Sequence, residues 1–413
     1  MTLRILAIGD TADNIFTLQK FSKKSKIHVI NFPKKQAGIK TMSDDVEFFD
    51  SLLISKQVKK IIKIKDNFDL CIVMSWAAAR IAYLSGINYI MYFVGGDITT
   101  PPFIKNPTLS YSKEPAYRLN FLERYFYKKV FYSAKLCITL TDEYFKALKK
   151  YRKDGIRMDR ISVDTILFNP KLKPINLQKE KFTFLSAQRI SFEKGFDKIW
   201  EALPLCKTDF DILQVKWFIE KTNEEKKFKE KILRNIPKQI KFIPLIKRTE
   251  LGKYFIFVDA ILGQMRVGAQ GAIERDAAYC KKPVISYCDL NQQMTIDGEK
   301  ITPPFLPNSN EPKKIAEIID KIVTDEKFRD NLAEKEYEYV QKLSNPELVL
   351  QEWEKIFEKI KSKHKTINRK TSKILLKIEN LIANTLEKLV YVKKMRQKNI
   401  DSWGKDQYEK LIN

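Results

Sequence analysis

Residues 182–202, FTFLSAQRISFEKGFDKIWEA, decide the fold class of this chain. The apolar run at residues 182–187 has the length and composition of a buried parallel strand, and the residues after it repeat at helical spacing. Arg189, Lys194 and Gly195 lie in the turn between these two elements. Because ligands of open α/β sheets bind beyond the carboxyl ends of the strands, this turn predicts a diphosphate site. A solvated basic turn is the alternative.

Composition favours two folded domains with an appendage. The chain has 413 residues, of which 44% are hydrophobic and 12% aromatic, which excludes global disorder. Its formal charge of +25 favours phosphate-bearing partners such as nucleic acid, a membrane or a substrate. Because an AT-rich genome also raises lysine usage, the charge alone does not choose among them.

Few residues are available for histidine or metal chemistry. The five cysteines form no C-x-x-C pair and are typical of a reducing compartment. His28 lies in a strand-like run and His364 in a lysine-rich tail, so histidine-centred catalysis is not expected. Asp209 and Asp211 spell D-x-D before a strand, which predicts a surface turn. We therefore expect no metal site.

Strand and helix patterns alternate along two stretches of the chain and predict parallel sheets. We place an N-terminal Rossmann-like domain at residues 1–170, a second at 171–345, and C-terminal helices with a basic tail at 346–413. Helical spacing is also predicted over residues 46–64, and a strand over 161–163.

Two features of the N-terminal half bear on binding. Gly95, Gly96 and Asp97 follow a predicted strand, where glycines permit close backbone approach and a carboxylate accepts from hydroxyls. An ordinary tight turn is the alternative. An aromatic stripe further on predicts a helix core rather than a base-stacking platform. Its members are Tyr117, Phe121, Tyr125 and Phe126.

Residues 263–283, GQMRVGAQGAIERDAAYCKKP, form the second informative stretch. Gly268 and Gly271 flank a turn into a helix N-terminus, which suits a phosphate or a sugar. Glu274 and Asp276 in the first turns are either ordinary helix-start residues or partners for sugar hydroxyls.

The turn RISFEKGFDKIWEAL resembles the R-x-x-x-E-K-G-x-x-x-L-x-x-A-L block of retaining glycosyltransferases of family 4, the group 1 transferases with the GT-B fold. Three further segments resemble family segments in the same order: SVDTILFNP, KFIPLIKRTELGKYFIFVDAIL and DAAYCKKPVI. The resemblance implies an α/β fold of two Rossmann-like doubly wound domains facing a cleft. It also implies sugar transfer from a nucleoside diphosphate sugar with retention.

The resemblance implies roles for particular residues. Arg189 and Lys194 match the catalytic pair that holds the donor diphosphate. Asp276 matches the glutamate that meets the ribose, with Glu274 as the alternative, whereas the glutamate that contacts the transferred sugar falls at Gly268. The remaining donor-side candidates are Gly9, Gly195, Gln264, Arg266 and Gly271, of which Gln264 and Arg266 are candidates to compensate for Gly268.

The resemblance also implies that no metal or cofactor is needed, and Phe93 stands near the position of the family's N-domain histidine. A catalytically degenerate GT-B scaffold is therefore one alternative function, and a basic nucleic-acid-binding protein is another, disfavoured one.

Residues 361–413 lie outside the resemblance and carry 14 Lys and Arg against 5 Asp and Glu. An apolar helical stripe there predicts a helix on an anionic membrane, a partner helix, or a brace on the N-terminal domain. Its members are Ile374, Ile378, Leu381, Ile382, Leu389 and Val392. Since the chain shows no signal h-region, we expect a cytoplasmic protein, peripheral on the inner face of the membrane, with a glycan or lipid-linked acceptor.

Overall fold

The computed structural model describes residues 2–33, 46–105, 119–218, 223–363 and 373–386. The strands are β1 (Arg4–Ile8), β2 (Lys26–Asn31), β3 (Glu47–Phe48), β4 (Leu70–Val73), β5 (Tyr89–Phe93), β6 (Leu136–Thr139), β7 (Ile156–Arg157), β8 (Thr183–Ser186), β9 (Asp211–Val215), β10 (Ile240–Ile243), β11 (Ala260–Leu262), β12 (Val284–Ile285), β13 (Met294–Ile296) and β14 (Glu299–Ile301). The helices are α1 (Asn14–Phe21), α2 (Ile54–Ile64), α3 (Trp76–Ser85), α4 (Phe121–Ser133), α5 (Asp142–Lys149), α6 (Phe196–Ala202), α7 (Asn223–Arg234), α8 (Arg248–Phe257), α9 (Ala272–Tyr279), α10 (Pro312–Thr324), α11 (Glu326–Ser344), α12 (Pro346–Lys363) and α13 (Lys373–Leu386).

Two parallel sheets organise the molecule. The first has the order β3-β2-β1-β4-β5-β6-β7, and the second has the order β10-β9-β8-β11-β12. Each sheet is covered by apolar clusters on both faces, as parallel sheets require. The predicted α/β class with two doubly wound sheets is confirmed.

Helix α12 returns the chain to the first sheet after the second sheet is complete. Trp353 of this helix is buried, and its ring meets that of Tyr92 of β5 edge-on at 5.1 Å. Val349, Leu350 and other apolar residues of α12 belong to the same cluster. This return ties the two halves together.

Two predicted elements differ in the structure. Residues 46–53 are not helical, because Val46, Phe49 and Leu52 are buried from an extended segment that includes β3, and the helix begins only at Ile54. Residues 161–163 form no strand, since the Val163 amide donates to the Ser344 carbonyl at the end of α11. Apolar spacing shows which residues are buried but leaves their hydrogen-bond partners open.

The aromatic stripe of α4 is not uniformly a helix core, so that prediction is wrong for two of its members. Phe121 is 70% exposed and Tyr125 is 61% exposed, whereas Phe126 packs edge-on against Tyr83 at 5.7 Å. Tyr117, Leu389 and Val392 lie outside the described residues.

Candidate functional site

The turn with Arg189, Lys194 and Gly195 lies between strand β8 and helix α6, as the sequence predicts. The Gly195 amide donates to the Phe192 carbonyl at 2.9 Å, and Gly195 caps α6 with φ +72°. A Cβ on Gly195 would lie 2.7 Å from the carbonyl carbon of Met265. Only glycine allows this backbone conformation and this approach of the second loop.

The loop between β11 and α9 is held by Gln264, which is fully buried. Its amide nitrogen donates to the carbonyls of Ala269 and Tyr287 at 3.2 and 3.0 Å. Its amide oxygen accepts from the amides of Arg266 and Val267 at 2.9 and 2.6 Å. Gln264 therefore shapes the loop and has no free group for a donor.

The two loops meet at Lys194. The Met265 amide donates to the Lys194 carbonyl at 2.9 Å. A methyl group placed on Gly271, the residue that caps α9, would lie 3.9 Å from Lys194 Nζ. A lysine ammonium thus stands beside the positive end of a helix, where an anion gains from both charges.

Arg189 lies in the same turn as Lys194. Its Nη2 donates to Glu193 Oε2 in an ion pair whose side chains are 27% and 33% exposed. Arg189 Nε is buried and makes no hydrogen bond in the described part of the chain. An arginine held by a single carboxylate one turn away is available to a stronger bidentate anion.

Two further predicted donor-side residues hold the loops together. Arg266 Nε donates to the Phe192 carbonyl at 2.9 Å, and its guanidinium pairs with Asp197. Glu274 accepts from the backbone amides of Gln264 and Gly271, both at 3.0 Å. Because these polar groups are already bonded within the protein, Arg266 and Glu274 position the site.

Asp276 belongs to a buried bridge between the two sheets. Its Oδ2 accepts from Arg248 Nη1 at 2.9 Å, and Arg248 Nε lies 3.4 Å from Oδ2 of Asp13, which precedes α1. Burial raises the pKa of Asp276, although Arg248 favours its charged form. This geometry gives Asp276 an interdomain role that the sequence did not indicate. Helix α8 begins at Arg248, with Lys247 at its N-cap position, so Thr249 lies inside the first turn and does not cap the helix.

Gly268 has a φ of +77°, and a Cβ there would lie 2.7 Å from Cβ of Asp289 and 3.1 Å from the ring of Tyr287. A glutamate at this position would therefore need the neighbouring loop to move. Asp289 occupies the adjacent space, and its amide donates to the Gly268 carbonyl at 3.0 Å. Sequence reasoning missed Asp289 because it follows a different strand.

Gly95, Gly96 and Asp97, the binding candidates of the N-terminal half, lie in the turn after β5. Gly95 is extended with no atom within 4 Å of a Cβ, and Gly96 and Asp97 begin a short 3-10 helix. The Asp97 carbonyl accepts from Trp76 Nε1 at 3.2 Å, and desolvation raises the pKa of the Asp97 carboxyl group. This turn follows β5 at the carboxyl edge of the first sheet, as the sequence predicts.

Gly9 and Asp10 follow β1 at the same edge. A Cβ on Gly9, whose φ is +75°, would lie 2.8 Å from the ring of Phe32, so packing alone requires glycine. Asp10 accepts from the amides of Ile15 and Phe16 at 3.1 and 2.9 Å. Burial, with the nearby charge of Asp13, raises the pKa of Asp10 to about 7.

Metal ligation finds no support in the part of the chain that the structure describes. No group of three or more His, Cys, Asp or Glu side chains is placed to hold a metal ion there. Asp209 and Asp211 pair separately with Lys181 and Lys241. His28 Nε2 lies 2.8 Å from Glu47 Oε2. Among the described helices, none has the length and apolar character needed to cross a bilayer.

Residues 169–339 match the family model for glycosyl transferases group 1, and no curated protein matches the chain significantly. HepE of Anabaena, solved with UDP and glucose, is 14% identical with a TM-score of 0.59, covering 86% of this chain and 100% of that one. Sucrose-phosphate synthase from Thermosynechococcus elongatus is 15% identical with a TM-score of 0.63, covering 87% and 99%.

An alpha-glucosyltransferase solved with UDP and a DNA 13-mer is 11% identical with a TM-score of 0.59, covering 86% of this chain and 99% of that one. These identities show the fold alone. The chain has the GT-B fold, and its residues 169–339 are similar to the glycosyl transferases of group 1.

Proposed function

We propose that this protein is a glycosyltransferase that moves a sugar from a nucleoside diphosphate sugar to an acceptor. The proposal rests on the position of Lys194 Nζ next to Gly271 at the N-terminus of α9. Arg189 lies in the same turn as Lys194. These cations would stabilise the diphosphate leaving group as its charge develops. Transfer with retention, as in family 4, rests on the sequence resemblance.

The proposal also covers the acceptor of the sugar and the cellular location of the protein. Gly95, Gly96 and Asp97 would form part of the acceptor side, because they lie at the carboxyl edge of the first sheet. We predict that the acceptor is a glycan or a lipid-linked molecule. We also predict that the protein is cytoplasmic and lies at the inner face of the membrane. The solved relatives with UDP make uridine nucleotides the first donors to test.

Asp289 supplies the carboxylate for the transferred sugar in this proposal. Its Oδ1 accepts from Asn291 at 3.0 Å, and its Oδ2 makes no hydrogen bond or ion pair among the described residues. Glu193, Glu274 and Asp276 are by contrast bonded to protein groups. Asp289→Ala should weaken binding of the donor sugar nucleotide about tenfold and leave UDP binding unchanged, because UDP lacks the transferred sugar. Equal weakening of both ligands by calorimetry would contradict this role.

The test of the function is binding and turnover with a panel of UDP-, GDP- and ADP-sugars. Arg189→Ala combined with Lys194→Ala should lose about 1.5–3 kcal/mol of charged hydrogen bonding per residue. Lys198→Ala is the matched control, since Lys198 lies on α6 and pairs with Glu201. Donor-dependent diphosphate release that only the double variant loses would establish the proposal.

A degenerate GT-B scaffold is the second candidate, because Gly268 stands where the resemblance expects a glutamate. Folded protein that binds UDP but turns over no donor, with any acceptor class offered, would favour it. Absence of binding to every nucleotide, together with salt-dependent binding of arbitrary DNA or RNA, would instead indicate a nucleic-acid-binding protein.

A further inference from the structure

Helix α13 is attached to the N-terminal half by polar side chains. Glu379 accepts from the Tyr83 hydroxyl at 2.8 Å and pairs with Lys129 of α4. Asn380 donates to the Leu84 carbonyl at 2.9 Å. The sequence left three roles open for this segment, and the structure places residues 373–386 as a brace on α2 and α3.

Four apolar residues of this brace are exposed to solvent. Ile374, Ile378, Leu381 and Ile382 are 71%, 49%, 68% and 52% exposed. Their spacing of four, three and one residues puts them on one face of the helix. A helix that leaves such a face in water needs a further partner for that face.

A second exposed apolar group lies on the neighbouring helix α4. Phe121, Leu122 and Tyr125 are 70%, 65% and 61% exposed. Tyr125 is one helical turn before Lys129, the residue that pairs with Glu379, and side chains four apart lie about 5–6 Å from each other. We call these three residues and the four of α13 the apolar face.

The charge around the apolar face selects its partner. Helices α2, α4 and α13 carry nine Lys and Arg against two acids, Glu123 and Glu379. Glu123 closes the capping box of α4, and Glu379 pairs with Lys129, so both acids are bonded within the protein. The exposed lysines on these three helices include Lys59, Lys63, Lys128 and Lys377.

We propose that the apolar face binds an anionic lipid bilayer, with its aliphatic and aromatic side chains entering the interface and the flanking lysines meeting lipid phosphates. Apolar insertion and lysine attraction are the two contributions that stable peripheral binding needs. A second copy of the chain would bring an equally basic surface to the same place, which disfavours a dimer through this face. The proposal stands independently of donor chemistry.

The experiment uses the full chain and flotation with phosphatidylcholine vesicles, with or without 30% phosphatidylglycerol. The first variant combines Phe121→Ser, Tyr125→Ser, Ile378→Ser and Leu381→Ser. Its matched control is Ile166→Ser with Leu177→Ser, two residues that are 62% and 52% exposed outside the face. We expect wild type and control to bind anionic vesicles, and the first variant to bind at least tenfold more weakly.

A second variant, Lys59→Gln with Lys63→Gln and Lys128→Gln, keeps the proposal testable if the serine variant fails to fold. It should lose the preference for anionic over neutral vesicles by at least fivefold. Wild type that does not bind anionic vesicles would overturn the proposal. Equal binding by folded serine variant and control would overturn it as well, as would a dimer in light scattering that the serine variant converts to monomer.

Discussion

Glu193 is predicted to compete with the donor diphosphate for Arg189. Its carboxylate is two-thirds buried and pairs with Arg189 Nη2 where the leaving group would bind. Glu193→Gln keeps the size and an acceptor oxygen but removes the charge. An ion pair of this exposure contributes about 0.2–1 kcal/mol, and a like charge roughly 6 Å from a phosphate opposes binding by about 1–3 kcal/mol before screening. After discounting for solvent, we expect a net gain of about 1 kcal/mol, or about fivefold tighter UDP binding.

The assay is calorimetry with UDP at low salt and again at high salt, where the gain should shrink. Glu201→Gln is the control, because it removes the same charge from a carboxylate that is 51% exposed and pairs with Lys198. In an Arg189→Ala background the benefit of Glu193→Gln should fall, since the competed arginine is gone. Affinity that Glu193→Gln leaves equal to the control, or lowers, would refute the competition.

Three stability predictions follow from buried groups, each measured by chemical denaturation. Burial raises the pKa of Glu336, so the folded state loses stability as pH rises above the pKa that Glu336 has in the unfolded chain. Glu336→Gln should flatten this dependence of stability on pH and add on the order of 1 kcal/mol to the free energy of unfolding at pH 8. Arg248→Met removes the hydrogen-bonded cation from the buried carboxylate of Asp276 and should cost about 3–5 kcal/mol, partly restored by Asp276→Asn; no loss of stability would show that the bridge is neutral. Gly195→Ala should cost about 1–3 kcal/mol, whereas Gly95→Ala, which meets no atom within 4 Å, should behave as wild type.

Local pattern predicted most of the fold because the strands of both sheets are short apolar runs that end in glycine or polar turns. The helix expected after Gly271 begins at Ala272, and the turn with Gly195 leads into α6. Where apolar spacing was the only signal, as at residues 46–53, the prediction failed. Burial there comes from an extended segment, and spacing alone does not distinguish the two.

The sequence likewise predicted some features of the candidate site and missed others. Sequence located the Arg189–Lys194 turn and the Gly268–Gly271 loop, because both lie at strand ends where ligands of α/β sheets bind. It assigned ligand roles to Gln264, Arg266 and Glu274, whose polar groups the structure shows bonded to backbone and neighbouring side chains. Residue type alone does not reveal which polar groups are already satisfied.

By itself, the sequence determined the α/β class, the two parallel sheets and the position of the basic turn, since the local pattern of apolar runs, turns and helical spacing predicts them. Only the tertiary structure decided that Arg248 bridges Asp13 and Asp276, that Asp289 lies beside Gly268, and that four apolar residues of α13 are exposed. These arrangements join segments far apart in the chain. Their geometry depends on how the two sheets and the returning helices pack, which local spacing does not encode.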